Sequence, residues 1–178
     1  MGACVQWGSP CYAALDYYAG WLYSIFGFRE AVLEAREHGL AEFCILSGAY
    51  GLVYAEEFIH SYGKPLDAAY WRRHELPRVL AELIETIGVK RVYGFCAATT
   101  DYRKVLEDVN WLAVGRSANL KTAVIFSPVA GGSSGAQTKV PTALGEAILA
   151  FLGNALDPRA VLTGSWQGLT IKEARLYG

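Results

Sequence analysis

The segment from Ser47 to Val53 carries side chains and backbone freedom that suit ligand binding. Ser47 supplies a hydroxyl that donates or accepts a hydrogen bond. Gly48 and Gly51 admit backbone angles closed to other residues, and Tyr50 offers a ring that stacks on a planar ligand or closes a core. The residues around Ser47 do not match Gly-x-Ser-x-Gly, so a serine nucleophile is not indicated. We therefore predict that Ser47, Tyr50 and Gly51 contact a ligand.

Two later segments carry groups of a similar kind. Asp101 and Tyr102 follow a predicted strand and would supply a carboxylate and a phenol, although Asp101 also suits a helix cap. Gly132, Ser133 and Gly135 belong to a glycine and serine run that precedes a predicted helix, so its amides would bind a phosphate or carboxylate. The run lacks the Gly-Lys-Ser/Thr ending of a P-loop, and a flexible loop explains it equally well.

A polar stretch and a basic stretch lie between these segments. His60, Tyr62 and Lys64 crowd a loop after the 47–53 turn, where they would face a ligand or only solvent. Helical spacing over 67–86 brings three arginines within about two turns of one another. Two readings are open for these residues together with Lys64: a nucleic-acid contact, or a solvated helix face. The three arginines are Arg72, Arg73 and Arg78.

Buried apolar runs predict the elements that position these groups. Strands are expected at 42–46, 89–97 and 121–127, with helices between them. This alternation is typical of an α/β fold, and we predict a three-layer, mainly parallel sheet of about four strands with helices on both faces. Ligands collect at the carboxyl ends of such strands, so Ser47, Asp101 and Gly132 are expected to converge.

Helix signals set several boundaries. Two helical pieces are expected over 12–38, the second ending at Gly39. Asp67 should cap the 67–86 helix, which Pro77 must bend or divide. Pro141 is expected to open a helix that runs to Phe151. Residues 153–178 are predicted to be a C-terminal extension packed on one 1–178 domain, ending in a short helix after a Thr170-x-x-Glu173 capping box.

Composition narrows the function classes. With 16 basic and 17 acidic side chains among 178 residues, the charge of −1 provides no global positive field for polyanions. The apolar runs fall short of the ~20 residues of a membrane span, so we expect no membrane partner. The cysteines lack metal-ligand spacing, and no metal or other cofactor is predicted: Cys4, Cys11, Cys44 and Cys96. Without a signal-peptide pattern, a cytoplasmic, reducing location is expected.

The block CILSGAYGLV at 44–53 resembles the ILSAxYGLV pattern of bacterial and archaeal YaaA-like proteins. Ile59, Tyr62 and Leu66 continue the resemblance as I-x-x-Y-x-x-x-L, and 16–20 resembles the D-L-Y-x-G that precedes the same strand. The likeness extends over roughly residues 4–135. Relatives have a lysine closely after a first-strand cysteine, whereas Val5 and Gln6 follow Cys4 here. The resemblance implies a small cytoplasmic protein of a family associated with peroxide protection and DNA binding.

Three hypotheses follow. The first is a YaaA-like protein, with or without enzymatic activity, that binds a nucleobase-like or phosphate-bearing small molecule at the strand ends. The second is a nucleic-acid-binding oxidative-stress protein that uses the Lys64 and arginine patch. The third is an interaction module without chemistry, such as a homo-oligomer, suggested by five tryptophans and eleven tyrosines.

Overall fold

Short apolar runs separated by glycine, proline and polar residues fold into short strands and helices. The computed structural model describes residues 10–129 and 135–178. The strands in these ranges are β1 (Cys11–Ala13), β2 (Cys44–Ser47), β3 (Gly51–Tyr54), β4 (Phe58–His60), β5 (Arg91–Phe95), β6 (Thr122–Val129) and β7 (Thr170–Tyr177). The helices are α1 (Ala14–Tyr17), α2 (Phe28–Glu37), α3 (Ala68–Arg73), α4 (Leu76–Ile87), α5 (Asp101–Glu107), α6 (Trp111–Ser117), α7 (Ala136–Gly153) and α8 (Pro158–Leu162).

The strands form three small sheets, so the predicted three-layer, mainly parallel sheet of about four strands is wrong. β5 and β6 pair in parallel, β7 joins β6 antiparallel, and β2–β3 and β1–β4 are separate antiparallel pairs. The difference arises at Gly51, whose φ of 79° lets the chain reverse directly after β2. Ser47 then pairs with Gly51, and β2 hydrogen-bonds to its neighbour in sequence.

The C-terminal segment also differs from its prediction. Residues 170–177 form a strand, and the short terminal helix expected from the capping box is wrong. Gly168, with a φ of 74°, and a bridge between Trp166 and Leu169 turn the chain back toward β6. The predicted extension thus supplies a strand of the β5–β6–β7 sheet.

Several helix predictions are confirmed. Asp67 caps α3, its carboxylate accepting a hydrogen bond from the Tyr70 amide at 3.0 Å. The 67–86 helix is divided before α4, because Glu75 has a φ of 57° and Pro77 lies in the first turn of α4. Pro141 does not open its helix, since α7 begins earlier, at Ala136.

The core lies on both faces of the β5–β6–β7 sheet. Phe126 packs with Phe151 of α7 and Val161 of α8 on one face, while Ala123 faces the cluster that contains Leu80 and Val114. Smaller clusters join α2 to α7 and pack the β1–β4 and β2–β3 pairs together. Among the described residues, no helix has the length and apolar character needed to cross a membrane.

Candidate functional site

A close backbone contact places Tyr62 against the end of β2. At Gly48, a Cβ atom would stand 2.0 Å from the Lys64 carbonyl oxygen and 2.6 Å from the Pro65 carbonyl carbon. Trp71 lies on α3, and its indole nitrogen donates a hydrogen bond of 3.2 Å to the Gly48 carbonyl. Only glycine allows the two chain segments to approach so closely, and their contact brings the Tyr62 side chain to Ser47.

Three hydroxyl groups form a connected hydrogen-bonded chain at this point. The Tyr50 amide donates to Ser47 Oγ at 3.1 Å, and Ser47 donates in turn to the Tyr62 phenol oxygen at 2.9 Å. The phenol oxygens of Tyr62 and Tyr18 lie 2.5 Å apart. Ser47 is fully buried, so the chain begins in the core and ends at the two half-buried tyrosines.

Counting protons along this chain reveals an unused donor. Ser47 has one hydroxyl proton, which it donates to Tyr62. Between the two phenol oxygens only one proton fits, supplied by Tyr18 or by Tyr62. Apart from Ser47, whose hydroxyl also contacts the Tyr18 phenol, the other phenol proton has no acceptor within residues 10–129 and 135–178. One phenol is therefore available to donate to a ligand.

Further aromatic rings surround the hydroxyls. Tyr17 and Tyr62 are stacked with ring centroids 5.6 Å apart, as are Tyr18 and Tyr23. Tyr50 meets Tyr62 edge to face at 5.7 Å, and its phenol accepts a hydrogen bond from the His60 amide at 3.0 Å. We call the five tyrosines the tyrosine cluster: Tyr17, Tyr18, Tyr23, Tyr50 and Tyr62. It packs against Ile45, Val53 and Ile59 beneath it.

The pKa values of the cluster favour the protonated phenols. Burial raises the pKa of the Tyr18 phenol well above its usual value; contact with the Ser47 hydroxyl lowers this pKa in part, and the hydrogen bond with Tyr62 raises it. Burial likewise raises the pKa of Tyr23, with smaller contributions from Tyr102 and Tyr62. The pKa of Tyr102 is raised by burial and then by Tyr62. At neutral pH these groups are donors, and Tyr102 on α5 lies within electrostatic reach of the cluster.

The predicted ligand-binding residues fall into distinct places. Ser47, Tyr50 and Tyr62 contact one another. Tyr102 is 40% exposed and lies within electrostatic reach of Tyr62 and Tyr23. Gly51 sits beneath the Trp71 ring, where a Cβ would be 2.9 Å from a ring carbon. The remaining predicted residues are Asp101, Gly132, Ser133 and Gly135.

Asp101 has a structural role in this arrangement. One carboxylate oxygen accepts from the Ala68 amide at 3.0 Å and the other contacts Lys104 Nζ at 2.8 Å, so Asp101 joins α3 to α5. These contacts lower the pKa of its carboxyl, the Lys104 hydrogen bond most strongly. Gly135 is the N-cap of α7, with a φ of 85°. Gly132 and Ser133 lie outside the described residues.

The residues of the predicted nucleic-acid patch are largely engaged with other groups. Arg72 contacts the Asp108 carboxylate at 2.5 Å, and Arg78 lies 2.8 Å from Glu75. Lys64 Nζ sits 3.6 Å above the centre of the Tyr70 ring. For Arg73, no ion pair occurs in the described ranges. Neighbouring carboxylates therefore weaken the positive field that this surface would present to a phosphate backbone.

Ser127, near the end of β6, differs from Ser47 in its bonding. Its side chain is 4% exposed, and its hydroxyl is the buried side-chain polar group without a hydrogen-bond partner in the described part of the chain. It lies beside the thiol of Cys96, a weak hydrogen-bonding group, whose pKa is raised to about 11, chiefly by burial, although contact with Ser127 acts to lower it. A buried hydroxyl without a strong partner is destabilising, which makes Ser127 a useful reference for Ser47.

Sequence patterns did not single out Tyr18 and Tyr23 as site residues. Tyr18 belongs to the 16–20 motif, so the motif was the available signal, but its contact with Tyr62 spans 44 positions. Tyr23 lies within 12–38, where two helical pieces were predicted, but 21–24 form turns between α1 and α2, and this local fold brings Tyr23 to Tyr18. Contacts between residues so distant in sequence depend on tertiary structure.

Surface depressions occur elsewhere on the molecule. One of about 450 Å³ is lined by Arg36 with three glutamates, and Arg36 pairs with Glu56 and Glu42 there. Another, of about 390 Å³, lies between Arg72, Arg78 and Asp108. Neither shares a residue with the tyrosine cluster. Both depressions are lined by charged side chains that pair with one another, so their charges are largely neutralised.

The site has no metal-binding character in the part of the chain that the structure describes, because no three histidine, cysteine or acidic side chains converge there. Its chemistry is that of phenols, one serine and aromatic rings. In comparisons with known proteins, the chain matches no family model, no curated protein and no solved structure.

Proposed function

We propose that this protein is a YaaA-like ligand-binding protein, and that the tyrosine cluster binds a small molecule with a planar, nucleobase-like ring. The unused phenol proton of the Ser47–Tyr62–Tyr18 chain carries this proposal. That proton would be donated to a ring nitrogen or carbonyl oxygen of the ligand. The proposal concerns binding and includes no catalytic step.

Two properties of the cluster support a planar ligand with hydrogen-bond acceptors. Aromatic rings favour offset or edge contacts with other flat rings, and Tyr102, within electrostatic reach of Tyr62, is 40% exposed. The phenols remain protonated because burial raises the pKa of Tyr18 and Tyr23. A nucleobase combines a flat ring with acceptor atoms along its edge and fits both properties.

A phosphate group is less well served by the described residues. Binding of a phosphate usually involves arginine, lysine or a set of free amides. Lys64, the nearest basic residue in sequence to Tyr62, lies over the Tyr70 ring instead. The ring of the ligand is therefore the part that we assign to the tyrosine cluster.

Nuclear magnetic resonance titration tests the proposal. Adenine, guanine, cytosine and uracil are added separately to ¹⁵N-labelled protein, with inorganic phosphate as a further arm, and the Ser47, Tyr50 and Tyr62 amides are followed. We expect at least one nucleobase to shift these amides. Tyr18→Phe and Tyr62→Phe are compared, and the one that removes the unused proton should weaken the Kd about tenfold, since a lost hydrogen bond of about 1.4 kcal/mol corresponds to that factor.

Tyr12→Phe is the matched control, because Tyr12 is an exposed phenol outside the hydroxyl chain. It should leave the Kd unchanged. The proposal is wrong if millimolar nucleobases leave all three amides unshifted, or if Tyr18→Phe and Tyr62→Phe both bind as tightly as the wild type. Shifts caused by phosphate alone would assign the site to anions instead.

A further inference from the structure

A cysteine and a histidine face each other across the β1–β4 pair. Cys11 and His60 are directly opposite in the antiparallel register. The Cys11 Sγ lies 3.4 Å from Nδ1 and 3.3 Å from Nε2 of His60, and these nearly equal distances place the sulfur over the face of the ring. Rotation of the imidazole about its side-chain bonds would point one ring nitrogen at the thiol proton. A thiol beside an imidazole is an arrangement that produces nucleophilic sulfur.

The positions of both residues are set by backbone contacts rather than by their side chains. The His60 amide donates to the Tyr50 phenol at 3.0 Å, which ties β4 to the tyrosine cluster. Beyond β1, the Ala14 and Leu15 amides donate to the Glu57 and Ala55 carbonyls at 2.8 Å each. These bonds continue the pairing of the two segments. The thiol and the imidazole are thus held in register by the fold.

Cys11 differs from the other cysteines of the described ranges in its access to solvent. Cys11 is exposed, whereas Cys96 is buried and Cys44 is largely enclosed. Burial raises the pKa of both the Cys44 and Cys96 thiols to about 11, which keeps them protonated and unreactive at neutral pH. Cys44 and Cys96 therefore serve as internal references for Cys11.

We propose that Cys11 is a nucleophilic thiol, activated by His60, that undergoes exchange with small-molecule disulfides. His60 takes the proton from the Cys11 thiol, and the resulting thiolate attacks one sulfur of the disulfide. A new S–S bond forms to Cys11 as the S–S bond of the disulfide breaks. The departing sulfur leaves with the electron pair and receives the proton from His60, so the step is balanced without another reactant.

The surroundings of Cys11 suit this reaction. Disulfide exchange requires an accessible thiolate and room for a disulfide to approach, whereas acyl transfer also requires an arranged set of oxyanion donors. Phe58, which is 73% exposed, lies opposite Ala13, two positions along from Cys11 and therefore on the same face of the strand pair. Its ring provides an apolar surface beside the thiol for the body of a small disulfide.

Exchange with oxidised glutathione tests the inference. The full chain is used with Cys4→Ser, since Cys4 lies outside the described residues, and modification of each cysteine is timed by peptide mass spectrometry at neutral pH. We expect Cys11 to react at least about tenfold faster than Cys44 and Cys96, because rates follow thiolate content and access. His60→Gln should slow Cys11 by about fivefold or more, since the proton acceptor is lost.

His38→Gln is the matched control, because the imidazole of His38 contacts the Glu34 carbonyl on α2 and no thiol. It should leave the Cys11 rate unchanged. Cystamine, a cationic disulfide, is compared with anionic oxidised glutathione to separate activation by His60 from simple exposure of Cys11. Once the imidazole holds the thiol proton it is positively charged and favours the anionic disulfide. His60→Gln should reduce that preference. Circular dichroism checks that His60→Gln is folded. The proposal is overturned if folded His60→Gln changes neither the Cys11 rate nor the preference between the two disulfides.

Discussion

At the scale of single residues, two buried serines show how much depends on hydrogen-bond partners. Ser47 accepts a hydrogen bond from the Tyr50 amide and donates to Tyr62, so both its capacities are used. Ser127 is similarly buried, yet among the described residues its hydroxyl contacts only the weakly hydrogen-bonding thiol of Cys96. The same side chain is therefore stabilising in one place and costly in the other.

Replacement of each serine by alanine should reveal this difference. Ser47→Ala leaves the Tyr50 amide without its acceptor and Tyr62 without its donor, and we expect the free energy of unfolding to fall by about 1–3 kcal/mol. Ser127→Ala removes a buried hydroxyl whose only contact is the weak thiol of Cys96 and should leave stability unchanged or slightly higher. Urea unfolding of both variants measures the contrast. Equal losses for the two variants would contradict it.

At the scale of elements, the site depends on the crossing of two segments that are not paired as strands. The turn after β2 meets the 64–65 segment at Gly48, while Trp71 of α3 holds the Gly48 carbonyl. This crossing sets the distance between Ser47 and Tyr62. The tyrosine cluster is consequently sensitive to one glycine that bears no chemical group of its own.

Gly48→Ala tests the role of the crossing. A Cβ would stand 2.0 Å from a backbone oxygen, which cannot rotate away as a side chain would. We expect a loss of about 2–4 kcal/mol in the free energy of unfolding, typical of a forced backbone shift. At Gly63 a Cβ meets no atom within 4 Å, so Gly63→Ala should change stability by at most about 0.5 kcal/mol. Thermal unfolding followed by circular dichroism compares the two, and an undiminished Tm for Gly48→Ala would show that the crossing relaxes easily.

At the scale of the whole molecule, buried phenols and thiols that stay protonated make the free energy of unfolding depend on pH. Burial raises the pKa values of Tyr18, Tyr23 and Tyr102 above their usual value, and those of Cys44 and Cys96 to about 11 from 9.0. In the unfolded chain these groups lose their protons at lower pH than in the folded protein. Alkaline pH therefore favours the unfolded state.

We expect the free energy of unfolding to be insensitive to these groups below about pH 9 and to fall progressively above it, through the raised folded-state values. Urea titrations at about pH 8 and pH 10.5 measure the fall. In Cys44→Ala the fall should be smaller, because one of the titrating thiols is absent, even if the variant is less stable overall. Constant stability across this range would show that the groups are not effectively buried in solution.

The sequence predicted local features well and pairing partners poorly. The Asp67 cap and the break of the 67–86 helix near Pro77 were both predictable, because capping and the missing proline amide act within one or two turns. Strand pairing was not, because β2 has an apolar pattern that suits either a parallel neighbour or the hairpin partner β3. The Thr170-x-x-Glu173 capping box predicted a short terminal helix, but Thr170–Tyr177 forms a strand, because pairing with β6 overrides this local signal.

The candidate site, like the fold, was predictable from the sequence only in part. Ser47, Tyr50 and Tyr62 were identifiable from residue type, glycine spacing and the motif at 44–53, which are properties of short segments. The hydroxyl chain to Tyr18 and the opposition of Cys11 and His60 were decided by tertiary structure alone. These contacts join residues 44 and 49 positions apart. Their formation depends on the packing of whole elements, which short-range pattern does not specify.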